Sequence, residues 1–213
     1  MPRPARVSPD RILAAAAVEF AERGFGGARV DRIARRARVN KAMLYYHFRS
    51  KQGLYRALLR RMFTAAASRM QAIAAGPGSP SDKVERVIAG VADLIREHET
   101  FPAIMLREVA EGGVHLDRDT LLALAAIPRT VGGIVQQGIA QGVFREVNPL
   151  FAYISLLAPV VFYLAAAPIR KELGALHLPN VQPRAAEEFV RHMQDVMRRA
   201  LARTPQAPAR PAS

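Results

Sequence analysis

The residues with the most informative chemistry lie close together in the first quarter of the chain. Lys41, Tyr45 and Tyr46 combine a cation with two phenol groups, which bind phosphate oxygens, sugars and base edges in nucleic acids. Ser50 and Lys51 add a hydroxyl and an ammonium at the start of a predicted helix, where free backbone N–H groups favour an anion. This combination predicts binding to a nucleic acid.

The patterns that mark catalysis or metal binding are missing from the sequence. It has no Gly-rich phosphate loop, no nucleophile elbow and no His-Glu-x-x-His helix. Without cysteine, disulfides, thiolate metal sites and cysteine nucleophiles are excluded. The five histidines include no pair at a tight ligand spacing. We therefore expect no enzyme activity, no metal site and no other cofactor.

The positive charge is concentrated at the N-terminal end of the 213-residue chain, whose formal net charge is +13. Residues 1–60 contain 14 Lys/Arg and 4 Asp/Glu, whereas residues 61–213 contain 17 and 14. This asymmetry favours a basic N-terminal module with a polyanionic partner, although a solvated basic face has the same composition. Residues 1–6 are basic but lack the apolar stretch of a secretory signal, so a cytoplasmic protein is expected.

Short amphipathic helices are predicted to position the basic and aromatic residues. A first helix ends at Gly24, a second covers residues 30–37, and Asn40 is of the residue type that caps a third. Residues 38–39 alone separate the last two, and so short a turn is typical of a helix-turn-helix, whose second helix enters the DNA major groove. The residues expected to be exposed on that helix are Lys41, Ala42, Tyr45, Tyr46 and His47, while Met43, Leu44 and Phe48 face inward.

The rest of the chain also predicts helices and shows no strand pattern. The expected helices run from a Ser50 cap to about Ala75, from Ser81-Asp82 to the mid-nineties, over 101–110, over 117–126, from Asn148-Pro149 to about Ala167, and over 185–202. Pro128 is expected to kink the fourth of these or to restart it into a stretch that ends near Gly142, and the stretch from about Ala167 to residue 183 is expected to be a loop. Residues 204–213 contain three prolines and no large apolar residue, which predicts disorder.

Residues 24–54 carry a specific motif. It comprises Gly24-Phe25, Val30-Asp31-Arg32-Ile33-Ala34, and Ala37-Arg38-Val39-Asn40-Lys41-Ala42-Met43-Leu44-Tyr45-Tyr46-His47-Phe48-Arg49-Ser50-Lys51-Gln52-Gly53-Leu54. In order and spacing it resembles the tetracycline-repressor (TetR) family of transcriptional regulators. Two positions depart from the family pattern. Arg38 stands where the turn usually has Gly, which costs roughly 1 kcal/mol if φ is positive there, and Arg29-Val30 stand near the usual capping Thr.

The resemblance implies an all-α fold with a DNA-binding module and a regulatory module. It implies a three-helix helix-turn-helix domain at 8–50, a helical ligand-binding and dimerisation domain at 51–203, and a tail at 204–213. The residues expected to contact double-stranded DNA are Arg29, Asn40, Lys41, Ala42, Tyr45, Tyr46, His47 and Lys51. Lys41 and Tyr45 would lie near bases, and Tyr46, His47 and Lys51 near the DNA backbone. The alternatives are that Tyr45 packs against the fourth helix and that His47 is a core histidine.

The uncharged segment 147–169 has two interpretations. It is long enough to span a bilayer, which needs about 20 apolar residues, so a membrane-attached helical protein is the alternative function. However, Pro149 and Pro168 shorten the helix and Pro159 interrupts it. These prolines favour a helix buried in a bundle and a dimer interface, with no membrane partner.

A homodimer is expected because two recognition helices must be spaced by one turn of DNA, ~34–36 Å, to read an inverted repeat. The predicted interface residues are Leu156, Val160, Phe189, Met193, Val196 and Met197, for which packing within one chain is the alternative. The resemblance also implies a small-molecule effector. Its predicted site is lined by Met62, Phe63, His98, Phe101, Met105, Glu108, Ile127, Ile134, Phe162 and Tyr163, which are also ordinary core residue types.

The sequence thus predicts a ligand-responsive regulator. The simplest form is a repressor that a small hydrophobic effector releases from its operator, and an activator is also compatible with this architecture. Glu108 would favour a cationic ligand and Arg107 an anionic one, so the charge of the effector stays open.

Overall fold

The computed structural model describes residues 8–203, and in this range all the regular elements are helices. They are α1 (Pro9–Gly27), α2 (Val30–Arg36), α3 (Lys41–Phe48), α4 (Lys51–Ala75), α5 (Pro80–Glu97), α6 (Phe101–Ala110), α7 (Arg118–Ala140), α8 (Pro149–Ala165), α9 (Ala167–Ala175) and α10 (Ala186–Leu201). The all-α prediction is confirmed. The predictions made for residues 1–6 and 204–213 lie outside the described residues.

The predicted helix caps at the N-terminal end are present. Ser8 caps α1, and the Asn40 side chain accepts a hydrogen bond from the Ala42 N–H at 2.9 Å. The Ser50 hydroxyl oxygen accepts from the Gly53 N–H, also at 2.9 Å. Each side chain satisfies a backbone donor that the first turn of a helix leaves unpaired, and so fixes where the helix starts.

The start of α5 differs from the predicted one. The helix begins at Pro80, one residue before the Ser81-Asp82 pair, and Ser79 caps it. The Ser79 hydroxyl oxygen accepts from the Asp82 N–H at 3.2 Å, and the Asp82 carboxylate accepts from the Ser79 N–H at 2.9 Å. This reciprocal pairing works like a capping box, and a proline suits the first helical position because it lacks an N–H.

Two further predictions concern helix boundaries. α7 continues through Pro128 to Ala140, so the proline does not start a new helix, and a kink at this position stays a prediction. The stretch after α8 is not all loop, since residues 167–175 form α9. Pro168 there stands in the first turn, where its missing N–H has little cost.

Contacts divide the chain into two compact units. Unit 1 contains the residues up to Arg69 and Asp93–Ile127, and unit 2 contains Met70–Ala92 and the residues from Pro128 onward. The most deeply buried side chains of unit 1 include Ile12, Phe20, Ile33, Leu44, Leu54, Leu59 and Phe63. In unit 2, α8 packs on α10, and the side chains buried on these two helices include Leu156, Val160, Met193 and Met197. The division into domains at residue 50 stays a prediction.

The apolar segment around α8 does not form a single long span. Among residues 8–203, no single helix is long and apolar enough to cross a membrane. The pair α8 and α9 meets that criterion only jointly, by length and composition, and is bent by 56°. One face of α8 is moreover buried against α10, so the membrane alternative is not supported.

Candidate DNA-binding interface

In the turn between α2 and α3, Arg38 stands where the family usually has glycine, and its backbone conformation is one that costs free energy for other residues. Arg38 has φ +51°, in the left-handed region that glycine adopts without strain. The Val39 N–H donates to the Ala34 carbonyl at 3.0 Å and the Arg38 N–H donates to Arg35, also at 3.0 Å. These bonds hold the tight turn in place, so the helix-turn-helix forms although the usual glycine is replaced.

One face of α3 is anchored in unit 1 and the other is open. Leu44 is completely buried and Phe48 is partly buried, as predicted. Tyr45 is 42% exposed and Tyr46 is 80% exposed, and Lys41 and Ala42 are exposed with them. The open face therefore presents one cation and two phenols to the surroundings.

His47 is less exposed than predicted. Its ring is partly buried beside Tyr46, with the two centroids 5.2 Å apart, and beside Phe48 at 6.1 Å. Its Nε2 is buried and has no hydrogen-bond partner among the described residues. His47 is therefore neither fully exposed, as expected of a phosphate ligand, nor fully buried and hydrogen-bonded, as expected of a core histidine.

Lys41 forms an ion pair with Asp31 of α2. The Lys41 Nζ lies 2.8 Å from Asp31 Oδ1, and both side chains are largely exposed. The hydrogen bond between them, followed by their mutual charge attraction, raises the pKa of Lys41, while the same hydrogen bond lowers the pKa of Asp31. Lys41 is therefore charged, and this pair holds its ammonium against α2.

Lys51 contacts the end of α1. Its ammonium donates to the Gly26 carbonyl at 3.2 Å and lies 4.7 Å from the centroid of the Phe25 ring. The Lys51 ammonium is thus held against the end of α1, while Lys51 itself is the first residue of α4, where free backbone N–H groups favour an anion.

Glu19 is a positioning residue that sequence reasoning missed. Arg29, at the N-cap of α2, provides no side-chain cap, and its own N–H donates to the Glu19 Oε1 at 3.2 Å. Glu19 is buried, and Arg23 and Arg32 lie 3.8 and 3.9 Å from the same oxygen. A carboxylate from α1 therefore replaces the missing cap of α2. The sequence signal that could have identified this role is that Glu19 is an acidic residue within the apolar stripe of α1.

A buried polar cluster lies beside the helix-turn-helix in unit 1. Glu108 accepts from the Tyr55 hydroxyl at 3.1 Å and from the His115 N–H at 3.0 Å, and its Oε2 lies 3.1 Å from His115 Nδ1. Burial, followed by the Glu108 charge, raises the pKa of Tyr55. The His115 ring packs 4.1 Å from that of Phe25. Glu108, predicted as an effector anchor, is thus engaged by its own chain.

This cluster also contains a group of three potential metal ligands. Glu108, Glu111 and His115 offer ligand atoms within 4.8 Å of one another. The Glu108 oxygens already accept three contacts and His115 Nδ1 lies between both carboxylates. These contacts satisfy the buried groups without an ion, so we assign no metal to them.

The residues predicted for the effector site do not all line the same cavity. Met62, His98 and Phe101 line a cavity of about 190 Å³ in unit 1, together with Leu13, Ala14, Ala17, Leu58, Arg61, Ala65, Leu94 and Thr100. Phe63, Ile127 and Ile134 are buried, and Met105 is partly buried outside that lining. Phe162 is exposed, and Tyr163 lines a different cavity in unit 2.

The predicted interface residues are mostly buried within unit 2. α8 and α10 are in contact, and the residues buried on them include Leu156, Val160, Met193 and Met197, which agrees with the alternative of packing within one chain. Val196 is partly exposed, and the Phe189 ring stacks on Tyr163. The exposed apolar face of α8 is instead formed by Phe151, Ile154 and Phe162.

Comparison with known proteins agrees with this geometry. Residues 12–58 match the sequence profile of bacterial regulatory proteins of the tetR family, and residues 80–197, more than half of the chain, match the tetracyclin repressor-like C-terminal domain. The transcriptional repressor NicS of Pseudomonas putida is 27% identical over 199 residues, which is 91% of this chain and 92% of NicS.

Solved structures support the same fold. The regulator FadR from Bacillus subtilis, solved in complex with stearoyl-CoA, has a TM-score of 0.75 at 16% identity, covering 91% of this chain and 100% of that one. PfmR of Thermus thermophilus, a TetR family transcriptional regulator, has a TM-score of 0.66 at 26% identity, with the same coverage. The chain therefore belongs to the tetR family of bacterial regulatory proteins and is a transcriptional regulator of the helix-turn-helix class.

Proposed function

We propose that this regulator is a repressor that binds an inverted-repeat operator as a homodimer and releases it when a small hydrophobic effector binds. The observation that carries the proposal is the open face of α3, where Lys41, Tyr45 and Tyr46 project from a helix anchored by the buried Leu44. An isolated helix of this length would not hold such a face in one orientation. Here the core of unit 1 holds it.

The proposed contacts with DNA are of two kinds, contacts with base edges and contacts with phosphates. Lys41, in the first turn of α3, and Tyr45, one turn later, are proposed to read base edges. Tyr46 and Lys51 are proposed to bind phosphates, and His47 supports the Tyr46 ring from the side. Arg29, Asn40 and Ala42 complete the proposed contact surface.

The homodimer is proposed to form through the exposed face of α8. Phe151, Ile154 and Phe162 recur at helical spacing on the side of α8 opposite to the one buried against α10. Exposed apolar residues that form a row on a helix mark an interaction surface. Ile154→Arg should therefore give a monomer in sedimentation equilibrium, whereas Leu122→Arg, an exposed leucine of α7, should leave the dimer intact.

The cavity in unit 1 is the proposed effector site. Leu58, Met62 and Phe101 give it an apolar wall, with His98 and Arg61 at its polar side. Its volume of about 190 Å³ lies below the range of roughly 300–1,000 Å³ common for ligand sites, so a compact molecule is favoured over a long acyl chain. FadR of Bacillus subtilis, which binds stearoyl-CoA, is therefore a guide to the fold and not to the size of the effector.

Operator binding can be tested with the purified chain and a fluorescent duplex from its own upstream region. We expect tight, sequence-selective binding of one dimer, measured by anisotropy against a scrambled duplex at several salt concentrations. Equal affinity for both duplexes, with the same steep salt dependence, would contradict binding of an operator in that region.

A further inference from the structure

A second and larger cavity lies entirely in unit 2. It has a volume of about 470 Å³, within the range typical of small-molecule sites. Its wall is formed by the end of α8, by α9, by the segment 176–185 and by the start of α10. None of the residues in this wall belongs to the α3 surface or to the cavity of unit 1.

Three flat groups are stacked along one wall of this cavity. The rings of Tyr163 and Phe189 are parallel within 5°, with their centroids 3.9 Å apart. The Arg170 guanidinium lies 3.7 Å from the centroid of the Tyr163 ring. The Tyr163 hydroxyl donates to the Arg184 carbonyl at 2.8 Å, which ties the following segment to this stack. Such a wall is suited to a flat apolar group.

Arg170 brings a positive charge that its own chain leaves incompletely satisfied. Its Nη1 is buried and has no hydrogen-bond acceptor among residues 8–203. The other charged groups of the wall, Arg184 and Glu188, lie 3.8 Å apart and offset each other. Gln182 and His192 also contribute to the polar part of the lining. Arg170 also lines the cavity, and its planar guanidinium is the type of donor that pairs best with a carboxylate.

The cavity depends on a close approach of two backbone segments. A Cβ placed on Gly174 of α9 would lie 2.4 Å from Cγ of Pro183, a distance at which one of the two must move. Pro183 itself lines the cavity. Gly174 therefore allows the segment 176–185 to close over α9, and the cavity is a defined feature of this sequence.

We propose that this cavity binds a small organic acid consisting of a carboxylate on a flat apolar body. Arg170 pairs with the carboxylate, and the Tyr163–Phe189 stack and Val181 contact the apolar body. The site is separate from the proposed effector cavity of unit 1, so the regulator has a place for a second, anionic ligand. The proposal does not depend on which effector releases the operator.

The test uses 2-naphthoate as the probe and isothermal titration calorimetry of the full chain without DNA. We expect saturable binding at one site per chain, and binding weakened about tenfold or more for Arg170→Gln, which removes the charge and the planar fork. Lys171→Gln, which removes an exposed charge next to it, should bind like the wild type. The uncharged 2-naphthamide should bind the wild type about as weakly as 2-naphthoate binds the Arg170 variant.

Two further variants distinguish binding in this cavity from a loss of folding and from binding in the cavity of unit 1. Val181→Trp fills the cavity from a partly exposed position, so it should fold and abolish binding even if Arg170→Gln were unstable. Arg61→Gln removes the cation of the unit 1 cavity and should have no effect. The proposal is overturned if 2-naphthoate shows no saturable binding, if Arg61→Gln abolishes it, or if Val181→Trp leaves it unchanged.

Discussion

Replacing Glu19 tests whether a carboxylate from α1 holds the start of α2. Glu19→Ala removes the acceptor of the Arg29 N–H, and losing an N-cap costs roughly 1 kcal/mol. It also removes a negative charge near the N-terminus of α2, worth roughly 0.3–1 kcal/mol. The partners Arg23 and Arg32 are 49% and 35% exposed, so solvent screening reduces each pair to roughly 0.5 kcal/mol or less.

We therefore expect the free energy of unfolding to fall by about 2 kcal/mol in the Glu19→Ala variant. For a chain of this size, that corresponds to a decrease in Tm of about 4–8 °C, measurable by circular dichroism. Glu19→Gln keeps an oxygen acceptor and should lose roughly half as much.

The matched control is Glu22→Ala, on the same helix. Glu22 is 48% exposed and pairs with Arg36 at 3.3 Å, so its removal should cost roughly 0.5 kcal/mol or less. If Glu19→Ala and Glu22→Ala lower Tm equally, Glu19 does not cap α2 and the reasoning from its burial and its hydrogen bond is refuted.

Three other perturbations test separate parts of the molecule. Gly53→Ala places a Cβ 2.2 Å from the Phe48 carbonyl oxygen and should lower Tm by several degrees, because the backbone between α3 and α4 must shift; an unchanged Tm would argue against this close approach. Lys41→Ala should lower the ratio of operator to scrambled-DNA affinity, whereas Lys51→Ala should weaken both and reduce the salt slope by about one; identical behaviour in anisotropy would refute this division of roles. Hydrogen bonds from Ser79 lower the pKa of Asp82 below 3.8, so the stability that its carboxylate adds is present above that pH and is lost as pH falls through the lowered value. The Tm deficit of Asp82→Asn should therefore shrink in acid, and a deficit independent of pH would contradict it.

The sequence was sufficient to predict features that depend on neighbours along the chain. Asn40 and Ser50 cap their helices because each bond spans only two or three residues, which a residue type and its position already imply. Leu44 is buried as its spacing indicates. Family resemblance added that Arg38 occupies a turn normally held by glycine, and its φ is indeed positive.

Features that depend on distant segments could not be predicted. Glu19 bonds a residue ten positions away, and Glu108 faces Tyr55 across 53 positions, so neither partnership has a local pattern. Apolar spacing showed that α8 has apolar residues on all sides, but not which side α10 would cover. Leu156 therefore became part of the core, whereas Phe151 remained exposed.

If Lys41 contacts DNA as proposed, Asp31 competes with DNA for its ammonium. Binding to DNA is driven largely by the release of small cations from phosphates when a protein charge replaces them. In the proposed complex, however, Lys41 exchanges its ion pair with Asp31 for a contact with DNA, so the lost pair offsets part of the free energy of that contact. We therefore expect Lys41 to add little affinity for arbitrary sequences and to contribute mainly where its ammonium bonds directly to a base. On this proposal, Asp31 gives the lysine a role in discriminating between binding sites.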